Sequence, residues 1–263
     1  MDKKIGQANK NVPFTTWMIV YTPSKSRVAN YNHINNIHPT NQFVAIDSVS
    51  NFKACSDFAI ENNYCTPEYI KTIRKHPGKL GCNLSHQLLV EVIANNSLTE
   101  WNLVLEDDTL IHIPMLLNEV QTMFQSANKY GSKFIQLYTH SRYRLIQSKR
   151  TKVGENLHKM MGQWGTCAYF IHKDAIPKIK EIYPLQRNID FVYGSLTLTL
   201  KSLCWLTPYV KTIGEADGCS RDKTANMGSI IMSRNGTGNF SVENAYAEFD
   251  EFLRKMVADG STS

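Results

Sequence analysis

Apolar residues fall along the chain in short blocks separated by turn residues. Thr16 to Tyr21, TWMIVY, is a compact apolar run stopped by Thr22-Pro23-Ser24; it predicts a first buried strand and a turn, with Ser24 placed to cap the next helix. Phe43 to Ile46 predicts a second short strand ending at Asp47, and Thr66-Pro67-Glu68 a helix start with proline in its first turn. Leu84, Leu88, Leu89, Val92 and Ile93 recur at helical spacing, so a helix is expected to open around Gly81 to His86 with Asn83 or Ser85 as its cap. Trp101 to Leu105, Phe134 to Tyr138 and Cys167 to Ile171 predict strands, Met115 to Lys129 a helix, and Asp174 the start of a short one. Val242, Ala245, Phe249, Phe252, Leu253 and Met256 predict a last amphipathic helix. Strands alternating with helices argue for an α/β sheet of six or seven strands, at least partly parallel.

Composition narrows the class. A chain of 263 residues with 42% hydrophobic and 20% charged residues is expected to form one large globular unit. The net charge of +6 is too mild and scattered to indicate nucleic acid; it suits anionic small ligands or an anionic membrane surface. Apolar runs are shorter than the roughly 18 to 20 residues of a membrane span, and Met1 to Asn11 is polar. The expectation is a cytoplasmic protein, with peripheral membrane contact as a second use of its basic charge. Cys55, Cys65, Cys82, Cys167, Cys204 and Cys219 are widely spaced without a Cys-x-x-Cys pair and are read as reduced thiols, and the sequons at Asn83, Asn235 and Asn239 as chance matches. The basic stretch from Arg142 to Lys152 predicts an exposed hairpin or loop. The expected organisation is a loosely packed N-terminus over 1–14, a main domain over 15–222, a flexible loop over 223–240 and a helix over 241–258.

Chemistry concentrates at WNLVLEDD, where Glu106, Asp107 and Asp108 follow an apolar strand. In open α/β sheets ligands bind beyond the carboxyl ends of strands. Side chains alternate along an extended chain, so Glu106 and Asp108 are expected on one side and Asp107 on the other. Two carboxylates on one face can share a hard cation such as manganese or magnesium. The alternative is an acidic turn that only solvates the strand end. Ser85 and His86, read as opening a helix, are candidates for holding an anion, against the plainer roles of a cap and a satisfied histidine. Arg27 could likewise meet a phosphate or be a solvated helix arginine.

Gly81 to His86, Leu105 to Asp108, Gly165-Thr166-Cys167-Ala168-Tyr169, Asn188-Ile189-Asp190 and Gly214 to Ser220, taken in order, resemble the sequence blocks of glycosyltransferase family 25. These are the lipopolysaccharide and lipooligosaccharide glycosyltransferases, with procollagen galactosyltransferase relatives. The resemblance spans roughly residues 15 to 222. It implies a GT-A type nucleotide-diphospho-sugar transferase fold with a mixed, mainly parallel central sheet flanked by helices. It further implies a UDP-sugar donor with manganese or magnesium, and transfer of galactose or glucose with inversion to a glycan or a hydroxylated protein. Asp108, with Glu106, then becomes the expected metal ligand, while Arg27, Ser85, His86, Glu106 and Asp107 are expected around the donor. Asp190, Asp217 and Asp222 are candidates for the base, the first two favoured. Where the family's first strand runs into Asn-Leu-Asp and arginines, this chain has Tyr21-Thr22-Pro23-Ser24 and keeps only Arg27. Two other classes stay open at this stage: a silent binding protein for glycans or nucleotide sugars, and a metal-dependent phosphohydrolase, which lacks a second cluster of ligands.

Overall fold

A computed structural model describes residues 12–139, 148–161, 165–207, 209–212 and 241–258. Residues 1–11 of the expected N-terminal segment, the loop over 223–240, and Arg142, Arg144, Asp217 and Asp222 lie outside them.

The first strands are β1 (Phe14–Val20), β2 (Thr40–Val44), β3 (Trp101–Glu106), β4 (Thr109–Ile111) and β5 (Phe134–Gln136). They are followed by β6 (Lys152–Gly154), β7 (Leu157–Lys159), β8 (Ala168–His172), β9 (Leu203–Trp205) and β10 (Val210–Thr212). Eight of them form one sheet in the order β2-β1-β3-β8-β5-β9-β7-β6, and β10 pairs with β4 apart from it. Within the large sheet only β8 and β7 run against the others. The fold is thus α/β around a mixed sheet in which most strands share one direction. Among the described residues there are ten strands, more than the six or seven expected, because β4, β6, β7, β9 and β10 are three-residue segments too short to carry a period-two pattern.

Helices cover both faces: α1 (Lys25–Ile37), α2 (Phe52–Glu61), α3 (Pro67–Ile73), α4 (Gly78–Asn96), α5 (Ile113–Tyr130), α6 (Ile176–Lys180), α7 (Ile189–Ser195) and α8 (Val242–Ala258). The strands that sit between them are buried on both sides and therefore read as continuous apolar runs. Alternation assigns their side chains. Met18, Val20, Leu103 and Leu105 enter one core with residues of α1, α5 and α8, while Trp17, Ile19 and Val104 enter the other with residues of α3, α4, α6 and α7. The last helix is seated on α1 by the stacking of His33 on Tyr246, centroids 3.9 Å apart.

Pairing brings several chain segments to one rim. β1 runs parallel to β2 and β3, with Val20 opposite Val44 and Ile19 opposite Glu106, so all three strands end together. β8 is antiparallel to β3, Leu105 facing Ala168, so the chain enters β8 where it leaves β3. The Glu106 amide donates to the Cys167 carbonyl at 2.8 Å and fixes that juncture.

The fourth helix corrects an expectation. It starts at Gly78 behind Pro77 rather than around Gly81 to His86, so Ser85 and His86 lie inside it and meet no free helix-end amides. Gly81 marks a close approach, since a Cβ there would lie 2.4 Å from the Ile46 carbonyl oxygen and 2.7 Å from Ser48 Oγ. Both neighbours are held, because Ile46 N donates to Ser85 Oγ at 2.9 Å and Ser48 Oγ donates to the Pro77 carbonyl at 2.6 Å. Gly81→Ala is therefore expected to destabilise the protein by about 1–3 kcal/mol despite alanine's better helix propensity, as read by denaturant titration. A stability equal to or above the parent would contradict that packing.

Candidate active site

The site grows from the last residue of β3. Val104 points into the core beneath α4, so by alternation Glu106 faces α4 as well. There its Oε1 accepts from two sides: His86 Nε2 lies 2.9 Å away, and Thr166 Oγ1 lies 2.6 Å away at the entry to β8. The other ring nitrogen of His86 meets the Tyr169 hydroxyl at 2.9 Å. His86, Thr166 and Tyr169 are all buried, whereas the Glu106 side chain keeps 25% exposure. The cluster is thus a largely internal polar network in which Glu106 keeps contact with solvent.

Thr166 Oγ1 also lies 2.8 Å from Asp190 Oδ1. One hydroxyl carries one hydrogen, so at any moment it donates to one of the two carboxylates. The electrostatics say which. Burial pushes Glu106 up, but the bond and charge of His86, the Thr166 bond and Arg27 together hold it below its ordinary value. Burial and then the charge of Glu106 raise Asp190. Asp190 therefore binds a proton more readily than an ordinary aspartate, and the Thr166 hydrogen is drawn toward the more acidic Glu106.

Asp190 is carried by the first turn of α7, and α4 fixes where that helix starts. Asn83 Oδ1 accepts from the Ile189 amide at 2.9 Å, and Asn83 Nδ2 donates to the Tyr69 hydroxyl at 3.3 Å. Tyr69 in turn donates to Asn188 Oδ1. Asn83, expected to cap its own helix, instead caps the amide end of α7. Its side chain is fully buried, so its sequon is closed to modification, as a chance match would be.

Asp107 faces the opposite way, as the alternation predicted. Its Oδ2 accepts from the Tyr21 amide at 2.6 Å, its Oδ1 accepts from Arg27, and its backbone carbonyl accepts from Asn30 Nδ2 at 3.0 Å. Arg27 and Asp107 thereby tie α1 to the β3–β4 turn. The Arg27 side chain is only 13% exposed, so it is not a solvated helix arginine. Burial pulls its pKa down, and the charges of Asp108 first and Glu106 next act against that pull. Asp108 is half-buried in the same turn. Ser85 is occupied within the fold, accepting from Ile46 N and donating to the Gly81 carbonyl at 2.7 Å.

The structure thus brings Glu106, His86 and Asp190 together, with Arg27 and Asp108 in electrostatic reach, and directs Asp107 to Arg27 and the Tyr21 amide and Ser85 to backbone groups of the fold. Three further residues carry the network without having been singled out from sequence: Thr166, Tyr169 and Cys82. Cys82 lies one helical turn before His86 on α4, and its sulfur, a His86 ring nitrogen and a Glu106 oxygen all fall within 4.8 Å of one another. Its place inside the Gly81 to His86 block and its spacing to His86 were the available signals. Cys55, Cys65, Cys82, Cys167 and Cys204 are thiols, with no disulfide among the described residues. Lys152 lies on the β6–β7 hairpin and Lys149 and Arg150 just before it, all exposed. No helix among the described residues is long and apolar enough to cross a membrane.

Comparison with known proteins gives this geometry a context. The model of glycosyltransferase family 25 (LPS biosynthesis protein) matches residues 32–193. That stretch contains Cys82, His86, Glu106, Asp108, Thr166 and Asp190; Arg27 and Asp217 fall outside it. No curated protein matches the chain. Among solved structures the chain is similar to one described as "crystal structure of a glycosyltransferase involved in the glycosylation of the major capsid of PBCV-1". The match has 16% identity and a TM-score of 0.34, covering 71% of this chain and 75% of that one.

Thr166→Val preserves shape and removes the bridging hydroxyl, leaving two half-buried carboxylates without it. It is expected to cost about 1–3 kcal/mol in denaturant unfolding, while Thr166→Ser stays near the parent. Equal losses for both variants would point to packing of the threonine methyl instead.

Proposed function

The chain belongs to glycosyltransferase family 25 and is a glycosyltransferase, and from that premise we propose a specific reaction. The protein moves a hexose, galactose or glucose, from a UDP sugar to a hydroxyl of a glycan or of a hydroxylated protein side chain, inverting the anomeric carbon. The observation that carries this reading is the meeting of Glu106 and Asp190 on one hydroxyl, Thr166 Oγ1, at 2.6 Å and 2.8 Å. Two carboxylates of opposite tendency, one held below its ordinary value and one with raised proton affinity, are what acid–base chemistry at a single centre requires.

The donor set fits manganese or magnesium. Glu106 and Asp108 supply hard carboxylate oxygens two positions apart at the strand end, and both act on the same guanidinium, that of Arg27. These two residues would hold the ion, which when bound supplies positive charge for the diphosphate of the departing nucleotide. The protein's own groups do the rest. Arg27, anchored by Asp107, adds fixed positive charge at the same rim. His86, oriented by Tyr169, holds the Glu106 carboxylate in place. Asp190 takes the proton of the acceptor hydroxyl as that oxygen bonds to the anomeric carbon and the bond to the nucleotide breaks. Its raised proton affinity moves it toward the range that suits a base. Asp217 shares that candidacy from its sequence block and lies outside the described residues. The exposed charges of Lys149, Arg150 and Lys152 suit an anionic acceptor or lipid headgroups.

Release of UDP from a panel of UDP sugars, measured with and without manganese, tests the metal role: Asp108→Ala is expected to lose manganese-dependent turnover by about 100-fold or more. Metal-independent activity in that variant equal to the parent would sink the role. The pH profile tests the base. A base must be ionised, so activity falls as pH drops through its pKa, and the raised value of Asp190 is expected to set the acid limb above the ordinary carboxylate range. An acid limb within the ordinary range would count against Asp190.

A further inference from the structure

Cys82 and His86 are four residues apart on α4 and project from one face of it. Glu106 meets that face from the end of β3. The ligand atoms of the three residues lie within 4.8 Å of one another, against roughly 3–4 Å between neighbouring ligands around a tetrahedral zinc ion. Small side-chain rotations close that difference. His86 Nε2 and Glu106 Oε1 lie 2.9 Å apart, so these two ligand atoms already face one another.

Two ligands already have outer partners of the kind found around metal centres. His86 Nδ1 meets the Tyr169 hydroxyl at 2.9 Å, and Glu106 Oε1 accepts from Thr166 at 2.6 Å. Both contacts orient the ligand without using the atoms of Cys82. Access exists, because Cys82 is half-buried and Glu106 keeps 25% side-chain exposure. A set of one sulfur, one imidazole nitrogen and one carboxylate oxygen suits a borderline-soft transition ion and not magnesium.

We propose that Cys82 Sγ, His86 Nε2 and Glu106 form a three-ligand site for a zinc-class divalent cation, its fourth position open to water or an exogenous ligand. A metal-bound cysteine is a thiolate. Binding therefore forms the metal–sulfur bond as the thiol proton leaves to solvent, and tightens as pH rises. An ion held there engages Glu106 and so competes with the hard-cation role of that residue. The site rests on the geometry of α4 and β3, and it shares Glu106, but neither Asp108 nor Asp190, with the sugar-transfer reading.

Cobalt(II) is the probe, since its thiolate complexes absorb in the near ultraviolet and its tetrahedral complexes strongly in the visible. Titration of the full-length protein with cobalt should develop both bands, saturating at one equivalent, and zinc should bleach them. Cys82→Ser should abolish the near-ultraviolet band and His86→Gln the saturable binding, while Cys204→Ser and Asp108→Asn keep both; circular dichroism checks each fold. Absence of the sulfur band in the parent, or its survival in Cys82→Ser, overturns the proposal. No sugar donor is present in this experiment, so its failure leaves the transferase reading intact, and a failure of sugar transfer leaves the cobalt result intact.

Discussion

Two carboxylates held close together and partly out of water repel each other, and they persist only where firm donors offset that cost. Glu106 and Asp190 meet this condition through Thr166 Oγ1, with His86 completing the shell around Glu106. Much of the surrounding architecture keeps these groups in register. The antiparallel course of β8 brings Thr166 to the end of β3. Gly81 lets α4 approach the Ile46 carbonyl closely enough for His86 to reach Glu106, and Asn83 on the same helix caps α7 and fixes Asp190. One helix therefore sets the positions of two groups that come from distant parts of the chain.

The parts of this arrangement that were legible in the sequence are those that follow from periodicity. The apolar runs marked the buried strands, and strict alternation was enough to direct Glu106 and Asp107 to opposite faces, where they meet His86 and Arg27 respectively. Short strands with no pattern, such as β6 and β10, were not legible, because pairing and not local sequence makes them strands. Gly81 read as punctuation before a helix, whereas its lack of a side chain serves helix-to-strand contact within one. Asn83 and Ser85 looked like caps of the helix they belong to, and their real partners, the Ile189 and Ile46 amides, are distant in sequence. Thr166 was visible only as part of a block resembling the family, since nothing in its spacing announces a contact with residues 60 and 24 positions away.

Family membership accounts for sugar transfer as the class of activity, and the geometry adds how this chain's own groups divide the work we propose. The same carboxylate, Glu106, stands between a hard donor, Asp108, and two softer ones, His86 and Cys82. Which cation it serves is then a matter of ligand chemistry at one strand end, with the half-buried Cys82 thiol as the element that would favour a softer ion.

The central claim is that the Glu106-centred network performs the transfer. Nucleotide release from a panel of nucleotide sugars, comparing the parent with Glu106→Gln, tests it most directly, because glutamine keeps the size of the side chain and removes its charge. The account predicts a fall in release of about 100-fold or more with the fold retained. Release at the parental rate from the folded variant would contradict it.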